Sequence, residues 1–486
     1  MFLSLRRLLA GAALLLTSLA AAAQPPATLR VDYLHTGDAK ADEYALERVV
    51  LEPLQWPGSL AQTLDPTKRG ANLVEVTDPG TGKLLYSRGF STVFGEWRST
   101  DEAARRRRGF EESVRFPRPA GPVHVRILKR DADNRFTLAW SVDVDPNGTD
   151  VLRRQGPAPA RVIPIRVNGD SANKADLLIL GDGYTAAEMG KFEATARRMS
   201  DHLFTVSPFR ERAADFNVWA MAVPTPQSGI SRPSTGVFHA SPLGASYDIF
   251  GSERYVLATD NRALREIAQY APYEFIEILV NNETYGGGGI FGQFSTAAAN
   301  NDWANYLFVH EFGHHFAGLA DEYYTSPVAY QSGAARVEPW EPNVTALHDP
   351  AHVKWASHVQ PGTPLPTPWP KAAYEQYARD FLKIRAALRS ADRPESEMST
   401  LFRAELAHTD ALFAAAPARH VLGAFEGANY EAQGFYRPAM QCIMFDRSDS
   451  FCQVCSDAIS DIIDLYASPP SALSVKQGNG DAGWPW

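Results

Sequence analysis

The sequence predicts two domains in series, an all-β sandwich over residues 24–156 and an α/β domain over residues 166–470. Three observations lead there. Residues 28–155 alternate short apolar runs of period two with turn signals, which is the pattern of an antiparallel sandwich. Beyond residue 175, strand-like apolar runs alternate with helical stretches, the pattern of a mostly parallel sheet that carries helices. Between the two, residues 157–165 hold several prolines and read as a linker.

Ahead of both domains, Arg6 and Arg7 precede an apolar run from Leu8 to Leu19 and the small-residue site Ala21-Ala22-Ala23. That three-part order predicts a signal peptide over residues 1–23, too short and wrongly flanked to span a membrane. The expectation is an exported chain, periplasmic or secreted, beginning near Gln24, with no later membrane span. In the sandwich, Leu29 to Leu34, Val123 to Leu128 and Phe136 to Val144 read as strands. Asp78-Pro79-Gly80 and Asp145-Pro146-Asn147-Gly148 mark turns. In the second domain, Leu177 to Leu180, Phe216 to Val223 and Phe275 to Val280 read as strands. Thr185 and Glu188 form a capping box that opens a long helix, and Asp260 starts another that runs to about Tyr270.

The α/β domain is organised around Leu307-Phe308-Val309-His310-Glu311-Phe312-Gly313-His314, on a helix expected from Asp302 to Ala317. His310 and His314 are four apart, so both imidazoles leave one face of that helix, one turn above the other. His-Glu-x-x-His is the short signature of zinc hydrolases: two nitrogen ligands, with Glu311 placed as general base. A catalytic zinc needs a third protein ligand and an open position. Gly318 can end the helix in a left-handed turn and return the chain at Asp321-Glu322. Asp321 is the expected third ligand, with Glu322 the second choice. The carboxylate left over could orient a ligand histidine from behind.

HEFGHHFAGLADEYY resembles the metallopeptidases named after an immunoglobulin A peptidase, family sixty-four of the metallopeptidase classification. The resemblance extends to Asp176-Leu177-Leu178-Ile179-Leu180-Gly181-Asp182-Gly183-Tyr184-Thr185, Phe216-Asn217-Val218-Trp219 and Tyr285-Gly286-Gly287-Gly288-Gly289. It continues through Tyr436-Arg437-Pro438, Cys442-Ile443-Met444 and Phe451-Cys452-Gln453-Val454-Cys455, covering most of residues 166–466. It implies a zincin/metzincin-like catalytic domain behind a β-rich one, with Zn²⁺ held by His310, His314 and Asp321. It also implies a methionine turn under the metal at Met444, with Met440 as competitor. Tyr436 is a candidate for stabilising the oxyanion. The function expected is an exported zinc endopeptidase acting on protein or peptide substrates. The rival from another class is a silent binding or adhesion module that keeps a zinc site, against which the intact Glu311 argues.

Composition narrows the remaining classes. The formal charge is −9, more negative still once Arg6 and Arg7 are cleaved away, so no basic stripe invites nucleic acid. The single basic run, Arg105 to Arg108, lies between acidic pairs and reads as a solvated face. The three cysteines, Cys442, Cys452 and Cys455, make no disulfide framework. In an exported chain Cys442 could bridge to Cys452 or to Cys455, leaving the third thiol buried; redox and structural-zinc readings of Cys452-x-x-Cys455 are the minor ones. Tyr285 to Gly289 lacks a phosphate-loop ending, so the glycines would let a substrate backbone approach, with Ile290 to Phe294 as the expected sheet edge. Residues 325–420 read as an insertion near the cleft, with Lys371 to Ser390 and Glu395 to Ala416 as a solvated helical pair. Residues 471–486 read as a tail. The sandwich has no cluster of histidines and carboxylates, so its expected job is support or substrate recruitment. His202, His239 and His408 read as ordinary side chains, and His315 must face away from the ligand pair.

Overall fold

Strand formation in the first domain follows from alternation. Leu29, Val31 and Tyr33 point inward while Arg30 and Asp32 point the other way, as period two requires. The computed structural model describes residues 25–326 and 336–467. The expected signal peptide (1–23) and tail (471–486) lie outside the described residues, as does part of the 325–420 stretch. One four-stranded sheet runs in the order Arg108–Pro117, Ala27–Gly37, Asp42–Gln55, Val151–Arg153. The other runs Leu84–Phe90, Asn72–Thr77, Val123–Arg130, Phe136–Val144. Val31, Tyr33, Val74, Val76, Phe116, Val125 and Ile127 meet in the core between the two sheets.

The outer face of the first sheet does not meet water. Arg30 is fully buried, 2.8 Å from Asp32, 3.0 Å from Glu52 and 2.9 Å from Glu266 of the second domain. Arg115 donates to the Tyr273 carbonyl at 3.0 Å, and Asn261 to the Ser113 hydroxyl at 2.8 Å. The polar face of the sandwich is thus a docking face, satisfied by charges on the helix Asn261–Ala268 and its surroundings.

The second domain holds a six-stranded sheet in the order Gly287–Ile290, Phe294–Ala298, Phe275–Val280, Ala175–Asp182, Phe216–Ala222, Ile163–Arg166. The four middle strands are parallel and each edge strand is antiparallel to its neighbour. Ala175–Asp182 is buried along its whole length, as a central parallel strand covered on both faces should be. Two boundaries differ from the sequence reading. The end of the expected linker is a strand, because Ile163 and Arg166 pair with Ala220 and Val218. The sheet edge is Gly287–Ile290, one step earlier than expected; Phe291 to Gln293 form the tight turn, with Gly292 at φ 69° and the Gln293 amide bonded to the Ile290 carbonyl at 3.0 Å.

Helix Ala304–Ala317 is apolar on nearly every side, with Leu307, Phe308, Val309, Phe312 and Phe316 buried, so it runs through the core rather than over it. Gly318 ends it at φ 64°, with its amide 3.0 Å from the His314 carbonyl. Arg69 of the sandwich reaches the Ala317 carbonyl at 3.3 Å and the Ala458 carbonyl at 2.7 Å, placing a cation at a helix C-terminus. The helices Lys371–Ser390 and Glu395–Ala414 are not merely solvated: Tyr374, Phe381, Met398, Phe402 and Phe413 join the main core. Their charges fill the outward face only, which is why composition alone read them as peripheral. No helix among the described residues is long and apolar enough to cross a membrane.

Candidate metal centre

The one-turn spacing brings His310 and His314 together with their Nε2 atoms 3.3 Å apart. The turn after Gly318 then delivers Asp321, whose Oδ1 lies 3.1 Å from His310 Nε2 and 3.3 Å from His314 Nε2. The outer nitrogens are committed to backbone carbonyls: His310 Nδ1 sits 2.9 Å from the Ile443 oxygen and His314 Nδ1 2.6 Å from the Leu319 oxygen. A carbonyl can only accept, so Nδ1 carries the hydrogen on both rings and each neutral ring turns the Nε2 lone pair inward. Asp321 Oδ1 is buried, and no well-directed N–H or O–H reaches it among the described residues. Three acceptors therefore face one point, an arrangement that needs positive charge there. The protonation balance says the same. Burial works against charging His314, but Asp321 overrides it and pushes the imidazole up to about 9. Burial would raise Asp321, yet the imidazoles, His314 first, hold it well below the usual carboxylate range. The donor set, two imidazoles and one carboxylate with room beyond, suits a catalytic divalent metal.

Glu311 points into the same cleft of about 440 Å³. Burial raises its carboxyl, while His310 and His314 pull the other way. The glycine strand explains how helix and sheet come so close. A Cβ on Gly287 would lie 2.9 Å from Glu311 Cγ, and one on Gly289 would lie 2.5 Å from the Glu311 carbonyl oxygen. Helix contact thus requires those two glycines, and the strand still lines the cleft. Ser91, Gly95, Glu96 and Ser99 of the sandwich and Glu405 of the inserted helices complete the walls.

Glu322 does not stand behind either histidine; it turns into a separate buried pocket, where Asn343 Nδ2 donates to Oε1 at 2.9 Å. Two backbone carbonyls do the orienting instead. Met444 is the methionine under the site: its sulfur would lie 3.1 Å from a Cβ on Gly313, between the two histidines, in the turn after Cys442. Tyr436 is not among the cleft residues; its hairpin pairs with Thr345, which holds it at the rim of the fold. The tyrosines that do enter the cleft are Tyr306, Tyr323 and Tyr430.

The comparisons agree with this geometry. The family described as IgA Peptidase M64 matches residues 163–463. The chain belongs to the M64 peptidase family. A second match, the Peptidase M64 N-terminus, spans residues 22–141. No curated protein matches the sequence. Membership makes the protein a peptidase of the metallopeptidase kind, whose substrates are proteins or peptides.

In this M64 peptidase the sequence reading missed Tyr430. Its hydroxyl donates to Asp321 Oδ2, the oxygen turned away from the histidines. Tyr430 and Asn429 form the turn of a hairpin between Phe425–Ala428 and Glu431–Arg437, with φ 64° and 53°, the mirror-image turn in which glycine is favoured. A tyrosine held there against that preference marks a selected position. No local signal ties it to a carboxylate 109 residues away. Replacing the hydroxyl, as in Tyr430→Phe, is expected to weaken metal binding about 10- to 100-fold with the fold intact. Titration with a competing chelator measures this, and an unchanged affinity would leave Tyr430 as packing only. Tyr323 accepts from Arg254 at 3.0 Å and adds a positive charge to the same wall.

Proposed function

We propose that this M64 peptidase is an exported zinc endopeptidase in which His310, His314 and Asp321 hold Zn²⁺ and Glu311 is the general base. The observation that carries the reading is the convergence of two Nε2 lone pairs and an unpartnered Asp321 oxygen beside a free-standing glutamate. Bound zinc would supply Lewis acidity, acidifying a water and polarising the scissile carbonyl.

The chain's own residues do the rest. The Ile443 and Leu319 carbonyls fix both imidazole planes, so the site is organised before substrate arrives. Glu311, made more basic by burial, takes the proton of the attacking water and returns it to the departing amine. The edge strand Gly287–Ile290 offers its backbone along the cleft, so an extended peptide can lie beside it as an added strand. Arg254, held by Tyr323, places positive charge where a carbonyl oxygen gains negative charge. Export rests on the pattern of residues 1–23.

One experiment tests the whole reading. Protein recovered from the periplasm or medium should begin near Gln24 and cleave a mixed peptide library within the chain rather than at its ends. Dialysis against a chelator should abolish cleavage and zinc should restore it. Full activity in the chelated protein would end the metal reading, and recovery with residues 1–23 still attached would end the export reading.

A further inference from the structure

Behind the turn that delivers Asp321, a second group of ligating side chains meets that the peptidase reading does not use. Glu322, Cys442, Cys452 and Cys455 are all buried, and one ligand atom from each lies within 4.8 Å of the others. Cys442 Sγ is 3.7 Å from Cys455 Sγ, and Cys455 Sγ is 3.2 Å from Glu322 Oε1. The Cys452 amide donates to Cys442 Sγ at 3.3 Å. Asn343 fixes Glu322 Oε1, while Oε2 is buried with no hydrogen-bond partner among the described residues.

We propose that Cys442, Cys452, Cys455 and Glu322 form a second, structural metal centre for a borderline-soft divalent cation, zinc foremost. Geometry favours this over a disulfide. Bonds of about 2.3 Å from a tetrahedral ion to sulfur give a sulfur–sulfur edge of about 3.8 Å, close to the spacing found; a disulfide needs about 2.05 Å. A disulfide would also use two sulfurs and leave the third thiol and an orphaned carboxylate oxygen buried together, an expensive arrangement. A cation satisfies all four groups at once. The donors are also those of closed structural sites: a Cys-x-x-Cys pair at the start of the helix Gln453–Ala467, with two ligands from distant turns and no position left for substrate. Each thiol that ligates releases its proton to solvent as a sulfur–metal bond forms. Arg437, fully buried and electrostatically coupled to Glu322, offsets part of the remaining negative charge.

The position gives the centre a job. Ile443 orients His310, and the Met444 carbonyl accepts from the Glu322 amide at 2.8 Å. A metal gripping Cys442 and Glu322 therefore clamps the loop behind one histidine to the turn that presents Asp321. The clamp does not depend on the cleft's chemistry.

Metal analysis of the purified full chain tests it. Wild type is expected to hold about two divalent ions per chain, and the His310→Ala/His314→Ala variant about one. Cobalt exchanged into that variant should give strong sulfur-to-cobalt charge-transfer absorption in the near ultraviolet. Denaturation of wild type with chelator and alkylating agent, without reductant, should label all three cysteines; this readout needs no variant to fold. A mass-mapped bridge from Cys442 to Cys452 or Cys455 would overturn the proposal, as would a double variant with no ion and no sulfur band. An ion with the sulfur band in a wild type that cuts nothing would sink the peptidase reading and leave this one standing.

Discussion

Glu311→Gln is expected to yield a folded, zinc-loaded protein that cleaves peptides about 10²- to 10⁴-fold more slowly, a loss of about 3 to 5 kcal/mol in transition-state stabilisation. Glutamine keeps the size and reach of glutamate, so packing against the glycine strand survives. What disappears is the ability to accept a proton, since an amide is no base near neutral pH. The three proposed ligands are untouched, so metal content should not change. Comparing kcat/KM and metal stoichiometry in the two proteins decides the matter. Near wild-type turnover with zinc bound would move the base elsewhere. Loss of zinc along with activity would make Glu311 part of the metal's support.

The largest stability effect is expected at His315, which no catalytic argument needs. Its Nδ1 donates to the Ile290 carbonyl at 3.1 Å, and its Nε2 accepts from the Ile276 amide at 3.0 Å. One neutral imidazole thus bolts the histidine helix to two strands of the sheet. Burial drives its pKa down to about 3, so it stays neutral in the fold across the working pH range. His315→Ala orphans two buried backbone groups, at about 1–3 kcal/mol each, and leaves a cavity in the core. The sum, about 4–6 kcal/mol, is a large share of the stability of an ordinary domain. Denaturant unfolding of the two proteins should show the midpoint falling sharply. A shift of less than about 1 kcal/mol would mean that water replaces both hydrogen bonds.

What could be read from sequence was what repeats or lies close together. The i, i+4 histidines, Glu311 and the glycine that returns the chain to Asp321 all sit within twelve residues, where backbone geometry dictates who meets whom. The strands of both domains were legible because burial imposes period two or a continuous apolar run. Partnerships across long sequence separations were not. Tyr430 with Asp321, Ile443 with His310 and Arg69 with the helix end leave no local trace. Glu322 was misread for a similar reason. Its neighbour ligates by a turn visible in sequence, whereas the cysteines it faces arrive from over a hundred residues away. The inserted helices misled through their charge, which describes the outward face and says nothing of Phe381, Phe402 and Phe413 beneath.

The glycine strand has one further effect. A segment stripped of side chains by its closeness to the helix can grip any extended backbone but cannot tell one residue from another. Discrimination among cleavage sequences then falls to the opposite banks: Glu96 and Ser99 from the sandwich, Arg254 from the sheet's margin, Glu405 and Arg447 from the later chain. Natural variation in what such an enzyme cuts would accumulate on those banks, leaving the strand itself nearly unable to drift.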